Sequence, residues 1–171
     1  MFQKLFYPRQ ALLVSSAHNG RMNLTATNWV TPISISPPMI AVSLPNTGLT
    51  LELVSRSKEF VVAVPHEGIK DALLLCLAAS GRHIDKFAES GLTAKKADTV
   101  SAPLISEALA NVECKVNSIQ SCGTNSLVTG EVFKTHFPEE DTNLHKLVFD
   151  NGERDLFAFE LLSLQKLQGS Q

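Results

Sequence analysis

Ala11-Leu12-Leu13-Val14-Ser15-Ser16 and Asn23-Leu24-Thr25-Ala26-Thr27-Asn28-Trp29-Val30 stand on either side of His18-Asn19-Gly20-Arg21. Two extended segments joined at an Asn-Gly pair spell a β-hairpin, because both residues accept the positive φ that a tight hairpin turn demands. The next segment, Ile33 to Ser36, is stopped by Pro37-Pro38, and Met39 to Leu44 follows as a branched, apolar run bounded by Pro45-Asn46. That run reads as a buried strand.

Outward from this core, Leu49, Leu53 and Val54 recur at helical spacing, which predicts a short helix over Thr50 to Arg56 with Thr47 or Thr50 as its N-cap. Glu59 to Val64 returns to strand character. Ile69 to Ala79 is rich in Ala and Leu and predicts the clearest helix, closed at Ser80-Gly81 by a left-handed glycine. Asp85 to Glu89 adds one more turn ended by Gly91, and the polar stretch to Pro103 reads as connection. Asn111 to Cys122 and Ser126 to His136 alternate with period two on either side of Gly123-Thr124-Asn125, as long paired strands do. Thr142 to Phe149 fits helix or strand, and Leu156 to Leu162 reads as a last apolar strand. Strands before and after a few helices, without βαβ alternation, predict a mainly β, antiparallel barrel with appended helices.

At 171 residues the chain has the length of one domain, spanning 1–171. Fifteen Lys and Arg against seventeen Asp and Glu leave a formal charge of −2, without the basic footprint that nucleic acid needs. No window reaches the roughly eighteen apolar residues of a membrane span, and the N-terminal residues do not read as a secretory signal. The three cysteines, Cys76, Cys114 and Cys122, form no CxxC pair or even disulfide framework, which fits a reducing compartment and a cytoplasmic protein.

The chemistry is narrowed by spacing. Neither a GxGxxG after a strand nor a GxxxxGK[ST] occurs, so a nucleotide would be held without a Rossmann or P-loop cradle. The five histidines and three cysteines show no zinc spacing, and no metal is expected. Cys76 sits in an apolar run as a buried thiol would. Asn23, Thr25, Thr27, Asn28, Thr47, Thr50, Ser80, Arg82 and Lys86 remain as a scattered set of hydroxyls, amides and cations. Such groups suit a phosphate held without metal, although Thr and Ser at turns also serve simply as caps.

The ordered set of pieces resembles the flavin reductase-like family, the flavoredoxin group of FMN-binding split barrels. It comprises Asn23 to Val30, Ile35 to Leu44, Thr50 heading a helix, Phe60 to Val64, Ser80-Gly81, Asp85-Lys86-Phe87, Ala102 to Ile105 and Gly123 with Gly130-Glu131-Val132, over roughly residues 8 to 161. The resemblance implies FMN in a groove at a homodimer interface. Its phosphate would lie near Thr50, Ser80 and Lys86, with Arg82 sharing that role, and its ring near the Asn23 to Trp29 segment and Ser43-Leu44. Small Ala26 would leave the ring room. Trp29 either fills the core or stands by the ring, Asn23 either binds or closes the hairpin turn, and Phe157 and Phe159 either belong to a core strand or cover the ring.

One departure stands out. Many relatives carry a histidine in a Gly-Asp-His turn where this chain has Gly123-Thr124-Asn125, and an amide cannot take up the charge of an imidazole. Asn125 thus occupies the position from which a side chain would act on the nicotinamide or the flavin. The expected function is an oxidoreductase in which FMN takes electrons from NAD(P)H, or another donor, and passes them to free flavin or a partner protein. The alternatives are a non-catalytic FMN electron carrier and, more remotely, a flavin-free scaffold.

Overall fold

A computed structural model describes residues 2–137, 146–153 and 155–160. The strands are β1 (Arg9–Gln10), β2 (Leu12–His18), β3 (Arg21–Thr27), β4 (Val30–Ile35), β5 (Pro38–Pro45), β6 (Glu59–Val64), β7 (Ala94–Lys95), β8 (Leu104–Ile105), β9 (Ala110–Cys122), β10 (Asn125–His136), β11 (Lys146–Asp150) and β12 (Leu156–Glu160). The helices are α1 (Leu49–Ser57), α2 (Lys70–Ala78) and α3 (Lys86–Ser90), with short 3-10 turns at Phe2–Phe6 and Glu67–Ile69. Seven strands form one sheet in the order β3-β2-β6-β9-β10-β5-β4, and every pairing is antiparallel. A three-stranded sheet, β1-β11-β12, and the β7-β8 ladder complete the architecture expected for a mainly antiparallel β chain with appended helices. No helix among the described residues is long and apolar enough to cross a membrane.

The β2–β3 hairpin turns as its sequence dictates: Asn19 and Gly20 have φ of 49° and 78°, the left-handed pair that suits strand twist. Two apolar layers hold the sheet. Leu13, Leu24, Ala63, Leu73, Cys76, Phe87 and Ile105 pack between it and α2 and α3. Val14, Val42, Leu44, Val54, Phe60, Val62, Cys114 and Val128 pack on the α1 side. Full burial of one such side chain stabilises by roughly 1.5–3 kcal/mol, which is what fixes the register of the period-two strands.

Three local expectations are corrected, and one ambiguity is resolved. Gly48, not Thr47 or Thr50, precedes α1 as its N-cap, and no side chain caps it; the Thr50 hydroxyl is used elsewhere. Helix α2 ends at Ala79 in extended conformation, and Gly81 is not among the positive-φ glycines. The stretch from Gly91 to Pro103 contains β7, paired to β8 by Ala94↔Ile105 and Lys95↔Leu104. The strand-or-helix ambiguity over Thr142 to Phe149 resolves to strand for Lys146–Asp150, while 142–145 lie outside the described residues, as do 161–162 of the last predicted strand. Helix α3 follows its signals, with Asp85 accepting from the N–H groups of Phe87 and Ala88 and Gly91 closing it at φ 71°.

Candidate functional site

Strand β3 lies at one edge of the large sheet, so one row of its backbone donors and acceptors has no strand beside it among the described residues. Where β3 runs on toward Trp29, a groove of about 340 Å³ opens. Thr25, Ala26, Thr27, Asn28 and Trp29 form one wall, Ser43, Leu44 and Pro45 of β5 with Asn125 of β10 face them, and Tyr7, Ala11, Leu77, Asp150 and Gly152 close the remainder. β5 and β10 are held opposite by their own ladder, in which Asn125 pairs with Pro45 and Leu127 with Ser43.

Hydrogen bonds hold several of the wall residues in place. The Thr27 hydroxyl accepts the Trp29 N–H at 3.1 Å, and the Trp29 carbonyl accepts the Ser43 N–H at 2.9 Å. Trp29 is 36% exposed and also lines a neighbouring apolar groove of about 640 Å³, so it stands on a wall and not in the core. Asn125 donates from Nδ2 to the Ser43 hydroxyl at 3.0 Å. Asn28 donates from Nδ2 to Asp150 Oδ2 at 2.8 Å and to the Tyr7 hydroxyl at 3.2 Å.

At the other end of β3, a pocket of about 360 Å³ is lined by Gly20, Arg21 and Met22 and, from the α2–α3 connection, by Gly81 to Asp85. Thr25 lies four positions along β3 from Arg21, about 13 Å of extended chain. Arg82 is anchored by Nε to the Thr47 carbonyl at 3.2 Å and by Nη2 to Glu52 at 3.0 Å, and its N–H donates to the Ser80 hydroxyl at 3.3 Å. Thr47, Ser80 and Arg82 therefore meet beside the start of α1, and Arg21 reaches the same place through the Gly81 carbonyl at 3.4 Å.

The other expected phosphate residues are turned inward. Asn23 is buried and donates from Nδ2 to Thr50 Oγ1 at 2.8 Å, tying β3 to α1. Lys86 is 5% exposed, lines neither cavity and donates from Nζ to the Cys76 carbonyl at 2.8 Å, near the C-terminal end of α2, whose carbonyls attract a cation. Burial pushes the Lys86 ammonium below its usual range. The same desolvation raises the Cys76 thiol, against the pull of Lys86.

Asp98, Glu113 and His136 bring ligand-type atoms within 4.8 Å of one another. Each already has a protein partner. Glu113 accepts the N–H of Asp98 at 2.9 Å, the N–H of Thr99 at 2.6 Å, the Thr99 hydroxyl, and His136 Nε2 at 2.5 Å, while Asp98 is paired with Lys134. Burial works to raise the Glu113 carboxyl, and these hydrogen bonds overcome it, bringing it down to about 2.

The model of the flavin reductase like domain matches residues 4–156. This chain belongs to that family. An uncharacterized protein of Pyrococcus abyssi is 33% identical over 80% of this chain and 78% of its own length. Flavoredoxin of Desulfovibrio vulgaris shares the fold with a TM-score of 0.82 at 24% identity, covering 92% of this chain and 90% of that one. An FMN-binding protein from Thermus thermophilus, solved with bound p-hydroxybenzaldehyde, has a TM-score of 0.81 at 22% identity over 90% of this chain and 87% of that one. The antiparallel split barrel with appended helices is thus the fold of this flavin reductase-like chain.

Several residues at the two cavities escaped the sequence reading. Tyr7, Asp150 and Gly152 come from opposite ends of the chain, and only Asp150-Asn151-Gly152 carried a signal, that of a turn ending an apolar run. Arg21 follows the Asn19-Gly20 turn, and His83 follows Arg82; nothing in the local sequence marks the two as neighbours.

Proposed function

We propose that this flavin reductase-like chain binds FMN along β3 and acts as an oxidoreductase. The ring lies in the groove of Thr25 to Trp29, Ser43, Leu44 and Asn125, and the phosphate lies toward Arg21, Ser80, Arg82 and His83. The observation that carries this reading is the polarity of one edge strand: at one end a groove that sets Ala26, Trp29, Leu44 and Leu77 beside amides, hydroxyls and the Asp150 carboxylate, and about 13 Å away a pocket that holds Arg21 and Arg82 beside Asp85. A flat ring with a polar edge suits the first, and an anion suits the second. Thr50 and Lys86 support the phosphate end from inside, through Asn23 and through the end of α2.

Bound FMN supplies the electron chemistry, accepting electrons from NAD(P)H or another donor and passing them to free flavin or a protein acceptor. The chain's own residues bind and orient it. Asn125, held on Ser43, presents an amide at the groove rim, and it donates or accepts a hydrogen bond without changing charge. That feature favours one second reading, an FMN electron carrier whose partner protein performs the chemistry.

A groove of 340 Å³ is at the small end of ligand sites, so a second copy of the chain would cover the flavin. Exposed Ile33, Ile35 and Phe133 offer apolar surface for a homodimer. A reducing, cytoplasmic setting goes with this function.

The test is the absorption spectrum of the purified protein before and after anaerobic addition of NADH or NADPH. Flavin bands that bleach at a rate consistent with turnover establish the reductase. Bands that persist shift the function to the carrier, and a protein that stays colourless after addition of FMN overturns both.

A further inference from the structure

Among the described residues lining the groove, Asp150 is the only carboxylate, and neither lysine nor arginine joins it there. It is 7% exposed, at the end of β11. Its Oδ1 accepts the Gly152 N–H at 2.8 Å and its Oδ2 accepts Asn28 Nδ2 at 2.8 Å. Both donors are neutral. Arg9 is its Cα partner in the β1–β11 ladder, yet the Arg9 guanidinium donates to the Phe6 carbonyl at 3.1 Å and lies over the rings of Phe6 and Tyr7.

The geometry is built, not incidental. Gly152 has φ 91°, and a Cβ there would meet the Tyr7 ring at 3.0 Å, so the turn after β11 folds tightly under Tyr7. Tyr7 in turn shares Asn28 with Asp150. A fixed negative charge held by neutral dipoles, in surroundings less polarisable than water, acts strongly on whatever charge develops beside it.

We infer that the Asp150 carboxylate, by its charge, sets how readily the bound flavin is reduced. This rests on the reading that FMN lies in the groove. Were reduced nicotinamide the donor, its hydride would bring two electrons and one proton, leave oxidised nicotinamide behind, and place one extra negative charge on the flavin until a second proton arrived from solvent. The Asp150 carboxylate opposes that added charge and so makes the reduced flavin a stronger donor. Charge placed near the reactive ring is one of the main means by which a protein tunes this cofactor.

The test compares wild-type protein, Asp150→Asn and Tyr7→Phe, each loaded with FMN and equilibrated anaerobically against a reference dye. Asparagine keeps the acceptor for Gly152, and the Asn28 amide can turn over to meet its new N–H groups. At the potential that half-reduces the wild type, Asp150→Asn raises the ratio of reduced to oxidised flavin about tenfold, equivalent to about 30 mV for a two-electron couple. By linkage, reduced FMN then binds the variant about tenfold more tightly relative to oxidised FMN. Tyr7→Phe, which removes a member of the network but no charge, changes the ratio less than twofold. Asp150→Ser gives the same direction and replaces the asparagine variant if that one does not fold.

An unchanged ratio in FMN-loaded Asp150→Asn overturns the inference and leaves the FMN reading intact. An equal shift in both variants also overturns it, because geometry and not charge would then be responsible. Failure of the wild type to bind FMN overturns the functional reading and this inference with it.

Discussion

Gly81 approaches Asn23 so closely that a Cβ on residue 81 would stand 1.8 Å from Asn23 Oδ1. The opposite end of the same amide donates to Thr50 Oγ1 at 2.8 Å, so Asn23 cannot turn aside without giving up a buried hydrogen bond. One buried amide thereby fastens β3, α1 and the α2–α3 connection. The requirement for glycine at 81 is one of space and not of a left-handed backbone.

Gly81→Ala is expected to destabilise the protein by roughly 1–3 kcal/mol, the usual cost of overpacking. Asn23→Ala removes the obstruction, so in that background the same substitution costs less. Urea midpoints of the two single variants and the double variant check this. Additive effects would show that the two side chains are not coupled.

Glu113 gives the fold a defined acid limit. Its carboxyl is lowered from 4.5 to about 2, so the stabilisation it contributes is fully present above pH 4.5 and is lost as pH falls toward 2. Asp98, lowered by its bond to Lys134, acts in the same direction. The loss from Glu113 amounts to about 3 kcal/mol at 1.36 kcal/mol per pH unit. Denaturant unfolding between pH 6 and pH 2.5 reads this as a slope. Glu113→Gln lowers stability at neutral pH and flattens that slope; a variant with the wild-type slope would assign acid lability to other groups.

How far the sequence reached depended on the range of the interaction. The β2–β3 hairpin was legible because Asn19 and Gly20 state their own dihedral angles, and α3 because Asp85 and Gly91 bracket it. The wall from Thr25 to Trp29 was legible as part of an ordered pattern. Thr50 and Lys86 were read by residue type as phosphate ligands, yet their outward or inward direction depends on Asn23 and on the end of α2, which no local pattern encodes. Asp150 lay beyond reach because its partner Asn28 is 122 positions away in sequence. Thr47 and Thr50 looked like helix caps because hydroxyls favour that position, but Gly48 takes it and leaves Thr50 for a tertiary bond.

The three thiols should separate by reactivity. Cys76 and Cys114 are buried, and burial together with the charge of Glu113 pushes the Cys114 thiol up to about 12. Cys122 is exposed near the tip of the β9–β10 hairpin. Since the thiolate is the reactive form, a colorimetric disulfide reagent titrates one thiol per native chain quickly and all three after denaturation. Two fast thiols in the native protein would contradict the burial of Cys76 or Cys114.

Trp29 is the only tryptophan of the chain and stands on the wall of the groove, so its fluorescence reports directly on what enters there. Titration of the flavin-free protein with FMN therefore tests directly whether the groove holds the flavin. Quenching of Trp29 is expected to saturate at one FMN per chain, with the flavin retained through gel filtration. Fluorescence unchanged through the titration, with FMN eluting free of the protein, would contradict it.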